Sequence, residues 1–365
     1  MRPVITIFTV LFAFITSSSA RSVSQVFGFP SAEPGYSLGV SACYAGRIGD
    51  WLVMAGGCNF PVPGNKTYYA GIYAARIDGA VLNWRLVGML PEPAAYGATV
   101  QSGDSLVFIG GNNKEHGLAT VYSIHLNATG DEASVSRMPG LPLSVDNMAV
   151  AVAKGKVCLF GGNHDGSPSS VMLVSSLSGG MREWRSAGEI PGGTRVQPVC
   201  AAYGSGVYVW GGFHAAGENS VVHTDGYRFD VATGEWLHLD PPHGRDGVET
   251  TLSGGVAWTE GNHIVATGGV NRDIFLDAIS GRYERVKKED YLSQPIVWYR
   301  FSGNLYVFDV AKAEWTKDVF ADRSLARAGA QAVVTSIGTF YIGGELKPAL
   351  RTPQIVLVSE GGAQH

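Results

Sequence analysis

The chain has 365 residues, 45% hydrophobic and 16% charged, with a formal net charge of -4. That apolar share supplies a large core and excludes a disordered chain, and the absence of any basic run leaves nucleic-acid binding without electrostatic support. Glycine is abundant, at 49 residues, but has no Gly-X-Y period, which excludes collagen and points to tight turns between short strands.

The first element is a targeting segment. Arg2 precedes an apolar run from Val4 to Ile15, too short to span a bilayer comfortably, and Ser18-Ser19-Ala20 follows as a small-residue cleavage site. Residues 1–20 read as a secretory signal peptide cut after Ala20. The remaining chain is then expected to be exported, periplasmic or secreted, with no membrane insertion after cleavage. Cys43, Cys58, Cys158 and Cys200 each lie in or beside an apolar strand. Four cysteines in a chain of this size are not a disulfide framework, and they read as small buried core residues. Asn65-Lys66-Thr67 and Asn127-Ala128-Thr129 match the glycosylation sequon, which matters only in a eukaryotic host.

Six Gly-Gly pairs then each end a short apolar run: LVMAGG to Gly57, LVFIGG to Gly111, VCLFGG to Gly162, VYVWGG to Gly212, IVATGG to Gly269 and FYIGG to Gly344. They recur roughly every 50 residues, a period at which one supersecondary unit repeats. Each unit has a strand of small residues, the Gly-Gly strand, a third strand carrying Tyr or aliphatic residues, and a fourth that often opens on Trp. Trp84, Trp184, Trp236 and Trp315 mark the fourth strands, and units 2 and 6 lack the Trp. Four short strands per period make a propeller blade, and this grammar resembles the kelch repeat. Residues 21–365 are therefore expected to form a single all-β, six-bladed kelch-type β-propeller. Its sixth blade runs out of chain before a fourth strand, so Val23 to Phe29 is expected to supply that strand and close the ring.

Strand alternation opens the loops after the Gly-Gly strands and the loops entering the first strands on one face. After the pairs come Cys58-Asn59, Asn112-Asn113, Asn163-His164, Phe213-His214, Val270-Asn271 and Glu345-Leu346. Entering the first strands are Tyr96, Asp146-Asn147, Arg195 with Gln197, Asp246 with Glu249, and Arg323 with Arg327. Together they predict a polar funnel suited to a small, hydroxylated, anionic ligand, because amides bind sugar hydroxyls and an Arg can hold a carboxylate. The longest interval, with its extra residues around 275–297, reads either as a loop on the binding face or as a solvated polar excursion. Glu345 holds the axial position where other blades mostly carry uncharged groups. Burial would raise its pKa toward a value useful for proton transfer, with Arg351 orienting it or gripping an anion. The other reading is an ion pair that only fixes the loop.

GGELKPALRT at Gly343 to Thr352, GGVNRDIF at Gly268 to Phe275 and AGGCNFP at Ala55 to Pro61 resemble motifs of the N-acetylneuraminate epimerases, the sialic acid mutarotases. The blade order resembles the circularly permuted branch of that family. The resemblance implies an isomerase that interconverts the α and β anomers of N-acetylneuraminic acid by opening and reclosing the ring, with no cofactor and no metal. It implies that Glu345 is catalytic with Arg351, and that Asn271 contacts substrate from the GGVN motif. Asn59, Asn147, Arg195 and Gln197 are funnel candidates for substrate binding on position alone. The competing readings are a kelch propeller that only binds a glycan or protein, a sialidase, whose Ser-x-Asp-x-Gly-x-x-Trp boxes are missing, and a copper-radical oxidase, whose Tyr/His set is missing.

Overall fold

The computed structural model describes residues 21–317 and 319–360, and these form six antiparallel sheets of four or five strands, joined in chain order. The expected targeting segment, residues 1–20, lies outside the described residues. Blade 1 runs outward from the axis as Tyr44–Ile48, Trp51–Ala55, Gly71–Arg76 and Arg85–Met89. Composition changes with distance from the axis. The second strand of blade 2, Ser105–Ile109, is buried at every position because neighbouring blades cover both its faces. The fourth strand of blade 3, Arg185–Glu189, is exposed at every position and correspondingly polar. Each Leu or Phe fully buried in the second strands contributes about 1.5–3 kcal/mol.

Apolar clusters fill all six junctions between blades. At the junction of blades 6 and 1, Leu52, Met54 and Tyr73 pack with Phe340 and Ile342, so the last sheet packs against the first. Trp84, Trp184, Trp236 and Trp315 each wedge into the junction with the preceding blade. In blades 2 and 6, which lack the Trp, Val135 and Val23 do so.

Both glycines of every pair have left-handed backbone, with φ of +56° to +76° at the first and +82° to +108° at the second. At Gly343 a Cβ would stand 2.5 Å from the Val40 carbonyl oxygen, while the N–H of Gly344 donates to that same oxygen at 2.9 Å. Any side chain at Gly343 would therefore break the seam between blades 6 and 1. A second device closes the ring at its axis. Ala42, Tyr96, Asn147, Gln197, Gly254 and Gly329 all have φ between +53° and +73°. Each donates its N–H to the carbonyl of the preceding member at 2.8–3.1 Å, and Ala42 donates to Gly329, so six hydrogen bonds run head to tail around the axis.

The N-terminal strand lies where the sequence placed it, with a shift. Arg21–Val26 pairs antiparallel with Ile355–Glu360, Val23 opposite Val358 and Val26 opposite Ile355. The strand ends before Phe29 because Phe27 turns away to bridge Val81 of blade 1 and Gly28 follows at φ +92°. The long interval is neither a bare loop nor a solvated excursion alone. It carries an α-helix, Arg272–Ile279, and short 3-10 turns at Lys288–Asp290 and Ile296–Tyr299. It lies between the second and third strands of blade 5, on the face of the other post-Gly-Gly loops. No described helix is long and apolar enough to cross a membrane.

Candidate active site

Two hairpins and the helical insertion rise beside the axial belt. After its Gly-Gly pair, blade 6 continues into Glu345–Lys347 and Leu350–Arg351, a tight hairpin that sets Glu345 directly opposite Arg351. The turn is made by Pro348 and by Ala349 at φ +65°. Blade 1 continues into the hairpin Cys58–Val62 and Asn65–Tyr68. The two meet where the Arg351 guanidinium stacks over Phe60, 5.1 Å from the ring centre. Lys347 ties the blade 6 hairpin to the insertion through its ammonium, which donates to the carbonyls of Leu292 and Gln294.

Glu345 is fixed at both ends. Its N–H donates to Ala328 O at 2.7 Å and its carbonyl accepts from Ala328 N–H at 2.9 Å. Its Oε2 forms an ion pair with Arg351 Nη1, which leaves Oε1 for a ligand. Burial pushes the Glu345 carboxyl above its ordinary value, against the opposing pull of the positive charges on Arg351 and Lys66. The Arg351 side chain is 4% exposed, so its guanidinium is withdrawn from solvent where it pairs with Glu345. Burial works against its charge, but Glu345 and then Tyr96 more than offset this, and Arg351 stays cationic.

On one side of Glu345 a cleft of about 30 Å³ is lined by Asn271, Phe275, Tyr291, Tyr299 and Pro348. Toward the axis lies a funnel of about 360 Å³ walled by Lys66, Tyr96, Asn112, Asn147, Asn163 and Gln197. Lys66 donates to Tyr96 Oη at 2.9 Å, and Cys58 Sγ lies 3.4 Å from the same oxygen. Burial, then the neighbouring Cys58, raises the Tyr96 phenol well above its ordinary value, so it remains a donor. Across the funnel, Gln197 donates to Asn147 at 2.7 Å, and Asn147 and Asn163 both donate to Asp146 Oδ1. The belt makes this mouth lopsided: blades 2, 3 and 4 present Tyr96, Asn147 and Gln197, while blades 5, 6 and 1 present Gly254, Gly329 and Ala42. The bare half is the half beside Glu345.

Of the residues expected to meet here, Glu345 and Arg351 pair, Asn147 and Gln197 stand on the belt, and Asn271 lines the cleft. Asn271 also caps the helix, its Oδ1 accepting from Ile274 N–H at 3.1 Å, which explains an Asn after Gly-Gly-Val and leaves its Nδ2 as the donor. Asn59 and Arg195 are not brought to the funnel. Asn59 is buried, donates to the carbonyls of Gly35 and Gly39, and accepts from Tyr69 Oη. Arg195 is fully buried between blades 3 and 4, gives two bonds to Asp225, and donates to Gly211 O. Arg327 does the same between blades 5 and 6, donating to the carbonyls of Gly343 and Gln354. These arginines clamp the carbonyl of the first glycine of a pair, a role that depends on the neighbouring blade. Lys66, Tyr291 and Tyr299 were not anticipated. Lys66 could have been found as the cation of the loop that follows the first Gly-Gly pair, and the tyrosines as the aromatic residues of the long interval. All four cysteines are free thiols, and burial pushes Cys43 and Cys158 up to about 12, which keeps them unreactive. Among the described residues no group of three or more His, Cys, Asp or Glu is placed to hold a metal.

The solved structure of YjhT matches this fold with a TM-score of 0.63 at 14% sequence identity, covering 90% of this chain and 100% of that one. An N-acetylneuraminate epimerase of Pasteurella multocida is 28% identical over 247 residues, 65% of this chain and 62% of the relative. N-acetylneuraminate epimerase of Escherichia coli K12 is 29% identical over 195 residues, 48% of each chain. N-acetylneuraminate epimerase 1 of Escherichia coli O6:H1 is 26% identical over 182 residues, 47% of each. The chain thus spans about half to three fifths of the length of these curated relatives. The family model for N-acetylneuraminate epimerase matches residues 138–364, which include the GGVN and GGELKPALRT segments as well as Glu345 and Arg351. With more than half of its length matched in this way, the chain belongs to the N-acetylneuraminate epimerase family.

Proposed function

We propose that this protein is a mutarotase that interconverts the α and β anomers of N-acetylneuraminate, with Glu345 as the group that moves protons. The observation that carries the reading is a carboxylate of raised pKa, paired with Arg351, in a cleft lined by Asn271, Tyr291 and Tyr299 beside the axial belt. Opening the hemiketal ring requires removal of the anomeric hydroxyl proton and delivery of a proton to the ring oxygen. Closing it on the opposite face reverses both transfers, so reactant and product are isomers and no co-reactant is consumed. Glu345 Oε1 takes the first proton and returns it. Its raised pKa brings the acid and base forms closer in energy near neutral pH, as a cycling group needs. Asn147, Gln197 and Asn271 hold substrate hydroxyls, and the orienting role falls to Arg351.

We also propose that residues 1–20 are removed on export and that the enzyme works in the periplasm or outside the cell. The test is proton NMR of freshly released α-N-acetylneuraminate with and without protein, read as the excess over the spontaneous rate. A Glu345→Gln protein that exchanges anomers as fast as wild type would leave the site a binding funnel only.

A further inference from the structure

We propose that Lys66 is the cation that receives the carboxylate of the anionic sugar and so sets the preference for sugar acids; this rests on the mutarotase reading of the same site. An anion entering a funnel partly shielded from water needs a positive partner with unspent donors. No arginine is among the residues that wall the funnel. Arg195 is wholly buried with Asp225, Arg327 is wholly buried on the carbonyls of Gly343 and Gln354, and the Arg351 side chain is 4% exposed with its charge opposed by Glu345. The Lys347 ammonium is turned to the carbonyls of Leu292 and Gln294.

Lys66 differs from all of these. It walls the funnel, and among the described residues no carboxylate lies within 4.0 Å of its ammonium. One N–H goes to Tyr96 Oη, and an ammonium carries three, so two remain. The rings of Tyr68 and Tyr96, 4.9 and 4.3 Å away at their centres, hold the charge in place without cancelling it. Tyr96 also feels the charges of both Arg351 and Glu345, so the anchor and the proton-moving group share one neighbour. In a 2-keto sugar acid the carboxyl carbon is bonded directly to the anomeric carbon. A carboxylate fixed at Lys66 therefore fixes the reacting centre one bond away, and Glu345 is close enough to feel the Lys66 charge.

The experiment is titration calorimetry of N-acetylneuraminate and of its neutral methyl ester against wild type, Lys66→Met, Lys66→Gln and Lys66→Arg, with the anomer-exchange assay run in parallel. Wild type is expected to bind the acid roughly ten- to a hundredfold more tightly than the ester, the range of a charged hydrogen bond. Lys66→Met and Lys66→Gln should bind both alike, and Lys66→Arg should restore part of the preference. A lysine that only pins the blade 1 hairpin would weaken acid and ester equally, and that result overturns the proposal, as does a preference that survives in the folded Met or Gln variant. If the preference follows Lys66 while wild type exchanges anomers no faster than buffer, the mutarotase reading fails and the anchor stands. If wild type binds neither compound, both fail.

Discussion

Two arginine–carboxylate pairs in this propeller have the same chemistry and opposite electrostatic outcomes. At Asp225 burial raises the carboxyl, but two bonds from Arg195, its charge, the nearby His223 and a bond from Tyr227 outweigh it, and the acid is held below its ordinary value. At Glu345 burial wins over the single contact with Arg351, and the acid is raised. The first pair is saturated and holds two blades together. The second is left one oxygen short, in the wall of a cleft. The two pairs thus differ in how completely the carboxylate is satisfied, and the sign of the shift follows from that.

The largest effect should come from the unsaturated pair. Glu345→Gln should lower the catalysed exchange rate by about 10²- to 10⁴-fold in the NMR assay, with the melting profile nearly unchanged. Breaking the saturated pair should do the reverse. Arg195→Met leaves Asp225 and the Gly211 carbonyl without their partner and should cost about 3–5 kcal/mol in denaturant unfolding, with exchange per folded molecule retained. Next comes acid sensitivity at the same junction. Burial, then the Arg195 charge, pushes His223 down to about 4 from an ordinary 6.5. Its contribution is complete above the unfolded value and is lost as pH falls from 6.5 toward 4, because the unfolded chain then takes up a proton that the folded one refuses. Unfolding free energy should drop by about 3 kcal/mol across that window, and His223→Gln should flatten the drop. Asp225 adds its own loss at lower pH, as protonation reaches its depressed value.

The smallest effect sharpens the contrast. With Glu345 as the proposed proton-moving group, exchange should fall as pH drops through a midpoint above the ordinary glutamate value. The sign for stability is opposite to that of Asp225: a raised carboxyl loses its contribution as pH rises through its folded value. Arg351 lowers the Glu345 pKa, so Arg351→Met should move the rate midpoint upward by about one unit in a pH–rate profile. A midpoint that stays put would mean that Arg351 does not tune Glu345.

Much of the architecture was legible because it is written in local patterns. Left-handed glycine pairs after apolar runs mark the second strands, and a missing last strand at one end with a spare strand at the other predicts the closure at Arg21–Val26. Glu345 was legible because a carboxylate after Gly-Gly is an exception among six equivalent positions. Arg195 and Asn59 were misplaced for the opposite reason. Whether Arg195 faces the axis or a junction depends on Asp225, thirty residues on. Whether Asn59 faces a ligand depends on Gly35, Gly39 and Tyr69, which enclose it. The helix Arg272–Ile279 was hidden in an interval read only for its length and charge, although Asn271 supplies its cap.

The sequence alone therefore determined the number of blades, the strand that closes the ring and the carboxylate set apart at Glu345, because strand periodicity, glycine backbone freedom and repeat position are properties of neighbouring residues. Only the tertiary structure decided which polar groups are consumed in joining blades and which face the funnel, with Arg195 on one side of that division and Lys66 on the other. Burial and pairing are sums over residues from several blades. The raised carboxyl of Glu345 exists only once the blade 1 hairpin, the insertion of blade 5 and the hairpin of blade 6 enclose it together.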